Sequence, residues 1–313
     1  MSAFDLASED IGLPPGAFAG THRRSLRRNG RVVLSLTQGR FRPYIFPLYS
    51  PRGFPVTSEA PADHPHHSSV WFAADHIHCR MPVAEGHHEE YTYNFYVNDV
   101  FQGRAPGRIV ETACEGTDVG GDRFHIVQEM EWRGPAEWGA PQGRLAASET
   151  RVTEVSGGDE AMVIDVASHL GAVDWDFTIG PTRHAYFNIR LAESMTVSHG
   201  GKLFDDRGGD GGAAVTGEGA RWVAAQGPVG GGNIAGIMLF PHPGDHRDPS
   251  WFVTDWGVIT VGPFRQNGRL VRRGEHLTAR YRVLVHDGAA GAEEIAARYQ
   301  AYVASGSEQE VLR

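Results

Sequence analysis

Apolar residues at every second position, repeated along the whole chain, constrain this sequence more than any other feature. Residues 31–36 (RVVLSL), 90–97 (EYTYNFYV), 123–133 (RFHIVQEMEWR) and 276–286 (HLTARYRVLVH) all alternate in this way. That period places successive side chains on opposite faces of an extended strand. Between such runs stand Asn29-Gly30, Asn267-Gly268 and Asp287-Gly288, dipeptides that tolerate positive φ and suit tight turns. The pattern predicts an all-β protein, a large antiparallel β-sandwich. Only residues 292–303 (AEEIAARYQAYV) read as a helix, with Ile295, Tyr299 and Tyr302 on one face. This short C-terminal helix should pack on the sandwich as a lid. The glycine-laden stretch 200–236 is expected to be loop-rich and to include a mobile flap. With no compositional break or internal repeat, the expected organisation is an N-terminal arm and first strand over 1–30 and one β-sandwich domain over 31–313.

Charge and missing motifs exclude several functions. A net charge of -9 argues against nucleic acid as a partner, since phosphate binding needs clustered Lys and Arg. The one basic run, 22–28 (HRRSLRR), reads as a solvated strand edge. No window approaches the roughly 20 apolar residues that span a bilayer, so no membrane role is expected. The N-terminus is acidic where a signal peptide is basic and apolar, which points to the cytoplasm. Cys79 and Cys114 fit free thiols better than a disulfide scaffold. Without Gly-Lys-Ser/Thr or Gly-x-Gly-x-x-Gly, no nucleotide cofactor is expected. Serine-hydrolase elbow, zincin and thioredoxin motifs are also absent from the sequence.

Three segments could carry chemistry. Seven of the sixteen histidines lie between His64 and His88, and histidine can move protons or ligate a metal near neutral pH. His64, His66 and His67 sit in a loop, DHPHH, that runs into the apolar strand VWFA and includes Trp71. His76 and His78, spaced to share one strand face, could join Glu90 to hold a divalent transition metal such as Zn, Mn or Fe. The second segment, GPTRHAYFNIR, places Arg183 and His184 at the mouth of an alternating strand. In the third, FPHPGDHRDP, His242, His246 and Arg247 crowd a Pro-bounded loop where polar groups could contact a ligand. Arg42, at the start of RPYIFPLYSPRGFPVT, completes the expected substrate contacts with Trp71, Arg183, His242, His246 and Arg247.

The stretch His-Ala-Tyr-Phe-Asn-Ile from His184 resembles the His-x-Tyr-Phe-Asn-Leu stretch of aldose 1-epimerases (galactose mutarotases), whose histidine serves as a general acid. More broadly, RPYIFPLYSPRGFPVT, PADHPHHSSVWFA, GPTRHAYFNIRLAESMTV, the loop from His242 to Pro249 and YRVLVHDG resemble a bacterial family of unknown function labelled PmoA-like, or "methane oxygenase PmoA". The label does not describe an activity for this chain, because the methane oxygenase subunit is an integral membrane protein. The resemblance implies a soluble β-sandwich, similar to the mutarotase-like supersandwiches, and an association with sugar catabolism.

The expected function is therefore an enzyme that isomerises, eliminates from or hydrolyses a small sugar or keto-sugar. His64, His66, His67 and His184 would supply acid/base catalysis. A metal-dependent oxygenase or cupin-like metalloenzyme built on the 64–90 cluster, and a non-catalytic sugar-binding module, are the competing readings. An exposed sheet edge could pair two subunits into a homodimer.

Overall fold

The computed structural model describes residues 3–10, 12, 22–246 and 248–305. It is a β-sandwich with a short C-terminal helix. One sheet has nine strands, ordered Phe4–Asp10, His22–Arg28, Arg31–Gln38, Pro43–Leu48, Val70–Ala74, Ala185–Arg190, Val258–Gly262, Ser250–Val253 and Gly217–Glu218. The second has eight: Lys202–Asp205, Val223–Gly230, Asn233–Pro241, His276–Asp287, Ala161–Gly171, Leu145–Gly157, Arg123–Arg133 and Arg108–Asp118. A smaller sheet of five strands includes Ile77–Pro82, His88–Asn94 and Asp176–Ile179. Among the described residues, neighbouring strands run antiparallel apart from one two-residue parallel pairing, Tyr93 and Asn94 with Ala105 and Pro106.

The alternation in the sequence decides what each face meets. Inward residues of the nine-stranded sheet, including Leu34, Val70, Phe72 and Phe187, share one core with Ile164, Ile237, Tyr281 and Val283 of the eight-stranded sheet. Tyr281 stacks on Phe187 at 4.6 Å and meets Phe72 edge-on at 5.9 Å between ring centroids. Each such fully buried side chain contributes about 1.5–3 kcal/mol by leaving water. Within this core, Glu149 accepts from Trp132 Nε1, Arg151 and Ser168 Oγ, and Ser168 Oγ also meets the Tyr186 hydroxyl at 2.7 Å. A buried carboxylate persists in such a place only when paired and hydrogen-bonded.

The helix Ala292–Ser305 buries Ile295, Tyr299 and Tyr302. They pack on Phe204, Trp222, Met238, Phe240 and Leu284, covering the outer face of the eight-stranded sheet as the periodicity predicts. Two expectations change. Residues 200–236, expected to be loop and flap, contribute the strands Lys202–Asp205 and Val223–Gly230 and the short helix Gly212–Val215. Glycine there admits close backbone contacts, since a Cβ at Gly201 or Gly227 would collide with Met195. The first thirty residues supply two strands paired in register from Phe4↔Arg28 to Asp10↔His22. The basic run within them is charge-balanced at the sheet edge: Arg24 pairs with Glu111, and Arg27 with Glu9 at 2.6 Å. Cys79 and Cys114 are free thiols, and no described helix is long and apolar enough to cross a membrane.

Candidate functional site

The outer face of the nine-stranded sheet carries a row of side chains set by strand register. Thr37 lies opposite Tyr44, Tyr44 opposite Trp71, Trp71 opposite Asn188, Asn188 opposite Thr260 and Thr260 opposite Phe252. Asn188 anchors the row, accepting from Thr260 Oγ1 at 2.7 Å and donating to Trp71 O at 3.2 Å. Tyr44, Trp71, Ala73, Tyr96 and Val258 form a small apolar cluster of their own on this face, with Phe252 and Trp256 at its margin.

Two loops cross this floor. The segment 60–67 is closed by backbone bonds from Ala60 N to His67 O, His64 N to Pro61 O and His67 N to His64 O. It lays three imidazoles over the floor. His64 stacks on Trp256 at 4.2 Å and on His67 at 4.9 Å, and His67 sits 5.3 Å from Trp71. His66 lies edge-on to His67 at 4.6 Å. Asp63 pins the loop, accepting two bonds from Arg190 Nη2 at 3.0 Å and meeting His64 Nδ1 at 2.9 Å. Arg190 in turn lies over the Trp256 ring at 4.9 Å. The second loop, 95–98, brings in Tyr96, whose hydroxyl is 3.4 Å from His67 Nε2.

His184 completes the group. Ala74 pairs with Ala185 across antiparallel strands, so the next residue on each, Asp75 and His184, also stand opposite one another. His184 Nδ1 is 3.1 Å from Asp75 Oδ2, and the pair is largely shielded from solvent. The Asp75 carboxylate also accepts from Thr182 Oγ1 and, at 3.2 Å, from Arg104 Nη2. Thr182 Oγ1 accepts the His184 backbone N–H at 2.9 Å, which fixes the turn entering the strand. The imidazole stacks on Tyr96 at 4.9 Å and meets Phe252 edge-on at 5.7 Å. Arg183 Nε, with its guanidinium over Phe252 at 4.5 Å, donates to His184 Nε2 at 3.3 Å. With the Asp75 carboxylate on Nδ1, the imidazole presents Nε2 as its reactive atom.

Burial and charge tune these groups. Burial tends to raise the Asp75 carboxyl pKa, but the bonds from His184 and Thr182 and the charge of Arg104 outweigh it, so Asp75 stays below its ordinary value. His66 is lowered to about 4, chiefly by burial and then by the Arg42 charge. His67 is lowered well below the usual histidine range, again first by burial and then by neighbouring His66 and His64. Both imidazoles are therefore neutral at pH 7, able to donate through one nitrogen and accept through the other.

The histidine-rich stretch does not act as one cluster. His64, His66 and His67 join His184 over the aromatic floor. His78 lies on the five-stranded sheet, bonded through Nδ1 to Thr92 Oγ1 at 3.0 Å, with Glu90 3.9 Å from its Nε2. His87 and His88 are exposed. Among the described residues no three His, Cys, Asp or Glu side chains are arranged to hold a metal ion, so the expected set of His76, His78 and Glu90 is not assembled. Alternation predicted the outward spacing correctly, but Ile77, Cys79 and Met81 point that strand into a different part of the core.

The expected substrate contacts also separate. Arg183 stands at the site. Trp71 is buried beneath His67 as part of the floor. Arg42 is buried with every N–H engaged by its own chain: Nε to Phe95 O, Nη1 to His66 O and Ser68 Oγ, and Nη2 to Tyr96 O and Asn98 Oδ1. It ties together the two loops of the site. His242 and His246 are buried by the opposite sheet, His242 Nδ1 accepting from Gly244 N and His246 lying 4.9 Å from the inter-sheet Tyr281. Arg247 lies outside the described residues. Asp75 and Thr182 do not stand out in the sequence as site residues, whereas Trp256 and Tyr96 belong to the aromatic residues that the sequence offers for stacking on a sugar. The signal for Asp75 was its place directly before His76, one residue past the strand Val70–Ala74, but only the register shows its partner.

A family model matches residues 23–300, nearly the whole chain. The chain belongs to DUF6807, a family of unknown function. No curated protein matches this chain. Among solved structures, a glycoside hydrolase family 97 enzyme variant from Pseudoalteromonas sp. strain K8 aligns over 91% of this chain at 9% identity and TM-score 0.34. The chain spans about a third of that enzyme's length, 34%. Slr1438 from Synechocystis sp. PCC 6803 aligns over 84% of this chain and 92% of its own at 11% identity, TM-score 0.37. YeaD from Salmonella typhimurium, described as a suspected mutarotase, aligns over 90% and 97% at 8% identity, TM-score 0.33. These likenesses are distant, and no chemistry of DUF6807 proteins follows from them.

Proposed function

We propose that this DUF6807 protein is an enzyme acting on a small sugar or keto-sugar, with His184 as its acid–base group and Asp75 orienting it. One observation carries the reading: strand register sets Asp75 against His184 Nδ1 at 3.1 Å, at the edge of an aromatic floor roofed by two neutral imidazoles. A carboxylate on Nδ1 fixes the tautomer and stabilises the imidazolium that forms when Nε2 takes a proton. Phe252, half-exposed at the margin of the floor, suits the apolar face of a sugar ring, and neutral His66 suits its hydroxyls, with buried Tyr96 and His67 shaping the wall behind them. The likeness of the His184–Ile189 stretch to that of aldose 1-epimerases, whose histidine is a general acid, supports the same role. Proton transfer at a ring oxygen or at a carbon next to a carbonyl would give mutarotation, isomerisation or elimination; the site's residues serve each.

The test is proton NMR of a panel of aldoses, ketoses and sugar acids with the full chain, following anomer exchange, isomer formation and loss of water. One substrate should turn over with wild type, and His184→Ala should remove that turnover. Turnover that survives both His184→Ala and Asp75→Asn would rule the assignment out. A non-catalytic sugar-binding module would instead show binding without product in every variant.

A further inference from the structure

The site holds more positive charge than its own carboxylates balance. Arg190 is matched by Asp63 and, at 3.6 Å, by Glu193; Arg23 lies 3.7 Å from Glu59, and Arg104 lies 3.2 Å from Asp75. Among the described residues of the site, two guanidinium groups are left without a carboxylate partner. Arg42 is 2% exposed, and its five acceptors are backbone carbonyls, a hydroxyl and an amide oxygen, all neutral. Burial lowers it only to about 10, so it is charged at neutral pH, and it lies directly behind His66, whose carbonyl it binds at 2.8 Å. Arg183 is exposed at the mouth and bonds to an imidazole nitrogen, not to a carboxylate. A cation in a partly dry site acts strongly on a nearby anion, because water screens it little.

The Arg183 bond has a second effect. Its Nε–H covers His184 Nε2, the atom that must exchange a proton with substrate. A guanidinium prefers a charged oxygen fork to a neutral ring nitrogen, since an anion adds ion–ion attraction and a second parallel bond to what is otherwise a single ion–dipole contact.

We infer that the site takes an anionic sugar, one bearing a carboxylate or phosphate group, and that this group binds Arg183 and draws it off His184 Nε2. The inference rests on the reading of His184 as the acid–base group and names the substrate class for that site. A neutral sugar would leave Arg183 where it is and His184 covered. The Arg42 charge behind His66 adds a favourable field for the anion without touching it.

The experiment uses the full chain in low-salt buffer, with sodium glucuronate, glucose 6-phosphate and glucose as probes, read by calorimetry and by the imidazole NMR signals of His184. Either anion should bind roughly tenfold more tightly than glucose and shift the His184 signals. Arg183→Ala should bring the ratio of anion to glucose affinity down to about one, and Arg183→Lys, which keeps the charge without the fork, should fall between. Glucuronate favoured over the phosphate assigns a sugar acid, and the reverse a sugar phosphate. Anions that bind no better than glucose, that leave the His184 signals unmoved, or that keep their advantage in Arg183→Ala overturn the inference. Failure of the underlying reading looks different: His184→Ala then leaves turnover of every active sugar, charged or neutral, unchanged.

Discussion

His184 and Asp75, 109 residues apart in sequence, meet at 3.1 Å because they are the first residues beyond a paired segment of two antiparallel strands. Neither could reach the other from its own loop. The pairing extends a ladder whose register is specified by burial of Phe72 and Phe187 on the inner face, since a slip of one residue would turn one of the two phenylalanines to the outside.

Asp75→Asn should therefore lower kcat by about a hundredfold with little change in KM, because the amide can no longer stabilise an imidazolium on His184. His184→Ala should cost at least as much. Steady-state kinetics over a range of pH check this. A KM rise with unchanged kcat in Asp75→Asn would instead mark Asp75 as a structural anchor for Thr182 and Arg104.

Trp256 carries His64 on its face at 4.2 Å and Arg190 at 4.9 Å, and so holds the loop of residues 60–67 over the floor. Trp256→Ala should raise KM about tenfold with kcat within about threefold, since it loosens a binding wall and leaves the acid–base pair intact. Equal losses in kcat and kcat/KM would contradict that division.

Stability should fall on mild acidification. His246 is lowered to about 4, mainly by burial, which outweighs the favourable charge of Asp245; His242 and Arg280 lower it further. The folded state thus holds fewer protons than the unfolded state between about pH 6.5 and 4. Stability is fully present above pH 6.5, declines as pH falls through that window, and levels off for this group below about 4. The loss amounts to about 3 kcal/mol for a complete shift of this size. Urea unfolding at stepped pH should show the slope, and His246→Gln should flatten it whatever its effect at pH 7.

Arg42→Met should destabilise the fold by about 3 kcal/mol or more. It would leave the carbonyls of Phe95, His66 and Tyr96 without the donors that join the two loops. Arg42→Lys should recover only part of this, because an ammonium cannot reproduce the five-pronged geometry. Unfolding midpoints measure both. A near-neutral Arg42→Met would show that the loops are held by stacking alone.

By itself the sequence determined many of the elements and their faces. Alternation specified strands such as Arg123–Arg133 and His276–Asp287, and helical spacing picked out the buried stripe of Ile295, Tyr299 and Tyr302, because burial of one face is a local property of period. It also brought forward His64, His66, His67, Arg183 and His184, all of which stand over one floor. What it could not determine was which histidines share a place. His76 and His78 follow the loop of 64–67 closely in sequence, yet the strand Ile77–Pro82 pairs with Asp176–Ile179 in another sheet. Tyr96, Asp75 and Trp256 come from three separate loops brought to the same face. Contact between distant segments depends on strand order and register, and those are decided by the packing of the whole inner core, not by the spacing of residues along any one segment.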